Sequence, residues 1–189
     1  MVTTPKSPGG RGIKRSQCIN KSLLAKRLWA LQLGSKDYWA HTLKVKYSFS
    51  SARNCPSIIW RSLEAAQQIC LLGKGWIVRN GQNINFWNDN WTGAGPLRKL
   101  LVGPLQVSDA NIKINDLRDN NNTWYLDRLS FPLPTSLREV IHAIPHSYNS
   151  SHENTPFWLP SSNGQFLTNS AYNIALNLEL KHSLNTSTN

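Results

Sequence analysis

Apolar residues recur at helical spacing through residues 21–73, and three helices follow from that pattern. Leu24, Leu28 and Leu31 fall at i, i+4 and i+7 with Trp29 beside them, which predicts a helix over 21–33. Asn20 is its expected N-cap and Gly34 its stop. Lys21, Lys26 and Arg27 lie mostly off the stripe, so the helix buries one side and presents cations on the other. Trp39 and Leu43, four apart, predict a second helix over 36–47, with Lys44 and Lys46 off the apolar line. Residues 48–56 read as a loop. Ser57 then caps a third helix, in which Ile59, Leu63, Ala66 and Cys70 keep helical spacing until Gly73 ends it.

Beyond Gly73 the period shortens to two. Asn80-Gly81 sits between two alternating runs, Trp76 to Val78 and Ile84 to Phe86, which is a hairpin signal. A two-residue turn would put Trp76 and Val78 on the opposite face from Ile84 and Phe86. An odd-numbered loop with Gly81 in the left-handed region brings all four onto one face and is the expected arrangement. Trp87 and Trp91 then flank Asp89 beyond the second strand. Residues 92–122 are loop-rich, with Ile112, Ile114 and Leu117 as one short anchoring element. A helix is expected near 123–130 with Trp124, and another over 136–143, where Ser136 and Glu139 have capping-box spacing. Residues 146–156 read as a polar linker. Phe157-Trp158 and Phe166-Leu167 bracket Asn163-Gly164, a second candidate hairpin, and a last helix starts near 169 with Tyr172 and Leu176 four apart. The expected class is mainly α with one or two small β-hairpins (α+β).

Composition adds a direction to this outline. The chain has 189 residues with 21 Lys and Arg against 10 Asp and Glu, a formal net charge of +11. Residues 1–60 hold eleven of those cations against Asp37 alone, so nearly all the excess lies in the first third. Such a surface suits a polyanion, and phosphate backbones are attracted to it without regard to sequence. The alternative is a solvated helical face. No run approaches the roughly 20 apolar residues of a membrane helix, so no membrane partner is expected. The opening residues lack the apolar core of a signal peptide, and three cysteines make no disulfide framework, which together suggest a reduced, intracellular setting.

Catalytic signatures are sparse. Cys18, Cys55 and Cys70 are far apart in sequence and form no zinc-type pairs with the five histidines, so no metal or other cofactor is expected. His142 and His146 are four apart, but Pro145 breaks the helix that would align them. Asp89 stands alone in its segment, and Asp109, Asp116, Asp119 and Asp127 form no paired motif for two-metal chemistry. Gly-Lys74-Gly lacks the remaining elements of a P-loop. The eight tryptophans either stack on bases or pack in the core, and Trp29, Trp39 and Trp60 lie on apolar lines that favour packing.

Several motifs in order also resemble a known family. These are Pro5-Lys6 through Ile13, Asn20 through Trp29, Trp39 through Tyr47, Ile59-Trp60, Gly75-Trp76-x-Val78-x-Asn80-Gly81, and Phe86-Trp87-x-Asp89-x-Trp91. They resemble the stretch that follows the polymerase core in plant LINE-type (non-LTR) retrotransposon reverse transcriptases. Phe157-Trp158, Asn163-Gly164-Gln-Phe166 and Ser170-Ala171-Tyr172 resemble the opening of that family's reverse-transcriptase zinc-binding (zf-RVT) domain. The likeness runs from about residue 5 to 176. It implies an RNA-directed DNA polymerase as parent, with palm carboxylates expected before residue 1 and zinc ligands after residue 189.

The resulting partition is an extended basic arm over 1–17 and a basic, thumb-like helical region over 18–72. A Trp-rich hairpin and loop region over 73–150 follows, then the start of a zinc-binding-like module over 151–181 and a disordered tail over 182–189. The expected role is non-catalytic: RNA or DNA backbone contact through Arg11, Lys14, Arg15, Lys21, Lys26, Arg27, Lys44 and Lys46, beside adjacent polymerase and zinc-binding modules. The resemblance makes the nucleus the expected compartment. A degenerate retroelement remnant with no biochemical role is the competing reading; a stand-alone nuclease would need a carboxylate cluster that the sequence does not display.

Overall fold

The structure is a computed structural model that describes residues 13–48, 57–119, 123–144 and 152–186. In chain order its elements are α1 (Ser16–Gln32), α2 (Tyr38–Ser48), α3 (Ile58–Ala65), α4 (Gln67–Gly73), β1 (Lys74–Ile77), α5 (Val107–Ala110), α6 (Thr135–Ala143), β2 (Thr155–Trp158) and α7 (Thr168–Thr186). Short 3-10 turns occupy Leu97–Leu100, Ile114–Leu117 and Leu126–Arg128. The chain is mainly helical with one small two-stranded antiparallel sheet, as the sequence pattern implied. It divides into two compact units, one built from residues up to Gly73 and from Pro160 onward, the other from Lys74–Leu159. Residues 160–186 therefore pack with the N-terminal helices, although a separate module had been expected over 151–181.

In the first unit α1 begins earlier than its apolar stripe suggested. Arg15, not Asn20, is the N-cap, with an extended backbone and no side-chain cap. Its backbone N–H donates to the Tyr172 hydroxyl at 3.1 Å, so a contact with α7 fixes the start and leaves Asn20 inside the helix. The stop is as expected. Gly34 has φ +78°, its N–H donates to the Leu31 carbonyl, and the Ser35 N–H reaches back to the Ala30 carbonyl, a Schellman arrangement. The most deeply buried line of α1 is Cys18, Ser22, Ala25 and Trp29, with Leu28 and Leu31 buried beside it and Leu24 half-buried. Ala171, Tyr172 and Ala175 are buried on α7, so small side chains on both helices permit close approach.

The third expected helix is two. Ser57 caps α3 by accepting from the Trp60 N–H at 3.3 Å, and the helix breaks at Ala66 before α4. That break leaves Leu63, Ala66, Ile69 and Cys70 all buried while Ile59 stays exposed. The expected loop over 48–56 lies almost wholly outside the described residues. The tail also differs, because α7 continues helical to Thr186.

In the second unit neither expected hairpin forms. β1 pairs antiparallel with β2 in the register Lys74 to Trp158 and Ile77 to Thr155, so residues 155–156 belong to a strand and not to a linker. Asn154, just before β2, explains the choice. Its side-chain oxygen accepts from the Arg79 and Gly81 N–H groups at 2.9 and 3.0 Å, and its amide donates to Asn80 Oδ1 at 2.8 Å. These bonds occupy the Asn80-Gly81 turn and hold it next to the incoming strand. Residues 84–86 pair instead with 112–114, through Phe86 N–H to the Ile112 carbonyl and Ile114 N–H to the Ile84 carbonyl. Gly81 does take the left-handed conformation, and Val78, Ile84 and Phe86 do share one core with Trp76 packed against it. At the other end, Phe157 and Phe166 are not hairpin partners: Gly164 lies in a turn, and Phe166 packs 6.3 Å from Trp29.

Ile114 and Leu117 anchor the unit as expected, both fully buried. The helix expected near 123–130 is a three-residue 3-10 turn, because Trp124 pairs with Arg118 in an isolated bridge and the Tyr125 N–H donates to the Leu117 carbonyl. No capping box opens α6: its N-cap is Pro134, which places Ser136 inside the first turn. The centre of this core is aromatic, with Phe86 edge-on to Trp87 at 4.8 Å, Trp91 5.5 Å from Trp124, and Trp87 stacked on Phe131 at 5.7 Å. A Cβ on Gly81 would lie 2.9 Å from the Asn115 backbone nitrogen at a φ of +67°. Gly81→Ala is expected to destabilise the protein by about 1–3 kcal/mol, read as a lower urea midpoint.

Candidate nucleic-acid interface

The cations singled out by the sequence separate into two groups on the first unit. Lys14, Arg15 and Lys21 lie along the seam of α1 and α7. Lys14 Nζ donates to Asn169 Oδ1 at 3.0 Å and lies 5.1 Å over the Tyr172 ring. Arg15 and Lys21 both reach Glu179, at 3.5 and 3.3 Å. These three are therefore held by partners within the fold. Glu179 is the residue that sequence reasoning missed. Its signal was the spacing on the last helix, where Asn169, Tyr172 and Glu179 fall on one face at i, i+3 and i+10.

Lys26, Arg27, Lys44 and Lys46 form the second group, exposed on α1 and α2. The Arg27 guanidinium lies 5.4 Å over the Trp39 ring. Asp37, the acid between the two helices, accepts from the Ser35 hydroxyl at 2.9 Å and from the Trp39 indole N–H at 3.1 Å. Both of these contacts fix the entry to α2. Arg11 lies outside the described residues.

The seam also contains a buried thiol. Cys18 is fully buried; desolvation and its hydrogen bond to Glu179 push its pKa up to about 11. For Glu179, burial works to raise the pKa, but hydrogen bonds from Cys18, Lys21 and Arg15 together with the Lys21 charge outweigh it and hold the carboxyl below its ordinary value.

In the second unit four aspartates cap backbone, while Asp127 pairs with Arg138 at 3.0 Å. Asp89 accepts from the Asn85 N–H at 2.7 Å, Asp116 from the Lys113 N–H at 2.8 Å, and Asp119 from the Thr123 N–H at 2.7 Å. Asp109 is buried and accepts from the Ser130 N–H and hydroxyl at 3.1 and 2.5 Å. Among the described residues no three His, Cys, Asp or Glu side chains gather as a metal site would require, and no helix is long and apolar enough to cross a membrane. Trp87 and Trp91 are buried, so the Phe86–Trp91 motif is a core element that Asp89 closes by its bond to Asn85.

Comparison with known proteins gives one informative likeness. The chain is 27% identical over 180 residues to the protein named "Putative ribonuclease H protein At1g65750" of Arabidopsis thaliana. The aligned stretch covers 90% of this chain and 29% of that protein, so the chain spans less than a third of its relative. No family model matches, and no solved structure does.

The Glu179 cluster gives the protein a defined pH response. A carboxyl with a depressed folded-state pKa contributes stability that is present above its ordinary value of 4.5 and is lost as pH falls through the folded value. A thiol raised from 9.0 to about 11 contributes stability that is full below pH 9.0 and is lost as pH rises toward 11. Melting temperature against pH should therefore show a plateau with a fall on each side. Glu179→Gln should remove part of the acid fall and cost roughly 1–2 kcal/mol at neutral pH.

Proposed function

We propose that this chain is a non-catalytic, nucleic-acid-contacting segment of a plant retroelement protein of the LINE reverse-transcriptase type. In such a parent it would lie between the polymerase core and the zinc-binding module, bracing one against the other. The observation that carries this reading is the exposed cationic surface of α1 and α2. Lys26, Arg27, Lys44 and Lys46 stand there, while Asp37 is turned onto Ser35 and Trp39. Backbone phosphates meet these side chains as point charges, which position a strand without reading its sequence. Lys14, Arg15 and Lys21 keep their net positive charge around Glu179 and extend the field toward α7.

Two further observations support the reading. The Arabidopsis relative is named for ribonuclease H, a nucleic-acid enzyme, and the likeness extends over most of this chain. Asp89, Asp109, Asp116 and Asp119 of the second unit are committed to capping backbone N–H groups, which suits a bracing role better than hydrolysis. The order of motifs in the sequence supplies the finer placement next to a polymerase.

The purified 189-residue chain should bind single-stranded RNA or DNA weakly and without sequence preference. With about four phosphate contacts, affinity for a single strand should fall roughly fiftyfold between about 50 and about 200 mM salt. Lys26→Glu with Lys44→Glu should lower the slope of log affinity against log salt by about 1.4. Fluorescence anisotropy across a salt series measures both. Binding that ignores salt, or none at about 50 mM, would sink the proposal and leave the remnant reading in its place.

A further inference from the structure

Between α1, α2 and α3 the first unit carries an open apolar groove of about 560 Å³, within the range of roughly 300–1,000 Å³ typical of small-ligand sites. Its lining includes Leu24, Arg27, Trp39, Leu43, Ile59 and Leu63. Its lip is unusually apolar for a solvent-facing surface, since Ile59 is 62% exposed and the neighbouring Ile58 76%. Trp39 is fixed in it. The indole N–H is held by Asp37 at 3.1 Å and the ring lies under the Arg27 guanidinium at 5.4 Å, so this aromatic surface is oriented before any partner arrives.

We propose that this groove receives unpaired bases of a single-stranded nucleic acid, a proposal that rests on reading α1 and α2 as a nucleic-acid surface. Charge complementarity selects this occupant over an apolar peptide or a second copy of the chain. Arg27 lines the groove itself, Lys26, Lys44 and Lys46 stand exposed on the same two helices, and Arg61 stands exposed on α3. The acids on these elements are already engaged, Asp37 by Ser35 and Trp39, and Glu64 by the Trp60 indole N–H at 2.6 Å. A second copy would bring the same cations against these. A strand with splayed bases instead places phosphates on the cations and flat apolar surfaces on Trp39, Leu43 and Ile59. Aromatic rings and arginine planes that stack bases beside a basic track are the recurrent solution for single strands. A duplex keeps its bases stacked inside and meets only the cations.

The test uses the 189-residue chain with labelled oligo-dT and oligo-rU of about 20 nucleotides and a duplex of the same length, at about 50 mM salt. Single strands should bind at least about fivefold more tightly than duplex. Trp39→Ala and Ile59→Gln should each weaken single-strand binding about tenfold and duplex binding less than twofold, with the salt slope unchanged. Ile59 is exposed, so Ile59→Gln remains decisive should Trp39→Ala lower the melting temperature. Single-strand affinity unchanged in Ile59→Gln, or an equal loss on duplex, overturns the groove proposal while the electrostatic surface stands. No binding of either form overturns the surface as well. A dimer in sedimentation that Ile59→Gln dissociates assigns the groove to a second copy and also overturns the proposal.

Discussion

The first unit depends on the seam between α1 and α7. Cys18, Ser22 and Ala25 on one helix and Ala171 and Ala175 on the other are small and fully buried, so the backbones approach without a bulky layer between them. At the edges of that contact Glu179 gathers Arg15, Lys21 and the Cys18 thiol, and Tyr172 takes the Arg15 N–H. These bonds decide where α1 starts and why the last helix lies with the first ones. They also set which cations are paired across the seam. Three of the basic side chains that looked suited to phosphate have partners in the seam, and Lys26, Arg27, Lys44 and Lys46 stand exposed on α1 and α2.

The second unit is organised differently, with little regular structure around an aromatic centre. Asn and Asp side chains supply the backbone partners that strands would otherwise give: Asn154 holds residues 79–81, Asn85 accepts from the Trp87 and Asn88 N–H groups, and Asp109 holds Ser130. Buried backbone groups need partners, and short polar side chains provide them where the chain turns too often for a ladder. Trp91 shows the same economy, since its indole N–H donates to the Phe86 carbonyl at 2.8 Å inside the core.

Legibility followed from range. Features set by neighbours a few residues away were readable: the Ser57 cap, the Gly34 and Gly73 stops, the left-handed Gly81, and the burial of Ile114 and Leu117. The Asn80-Gly81 signal was genuine, yet the hairpin it suggested lost to a strand from residues 155–158, because Asn154 hydrogen-bonds the turn itself. Trp124 looked helical by its surroundings, but its backbone is taken up by the bridge to Arg118. Among the proposed contact residues, charge and helical placement were readable for Lys26, Arg27, Lys44 and Lys46. Their separation from Arg15 and Lys21 was not, because Glu179 lies more than 150 positions downstream of both.

The sequence by itself determined the mainly helical class, the concentration of charge in the first third, and the burial of several core side chains, among them Leu28, Trp29, Leu63, Ile84, Phe86, Ile114 and Leu117. Each follows from composition and from periodicities that hold over one or two turns. The tertiary structure decided strand pairing, the start of α1, the break at Ala66 and the sorting of cations into seam and surface. Those outcomes rest on single hydrogen bonds and ion pairs between distant segments. Local pattern carries no record of such partners, because a donor or acceptor looks the same in sequence whichever distant group it finally meets.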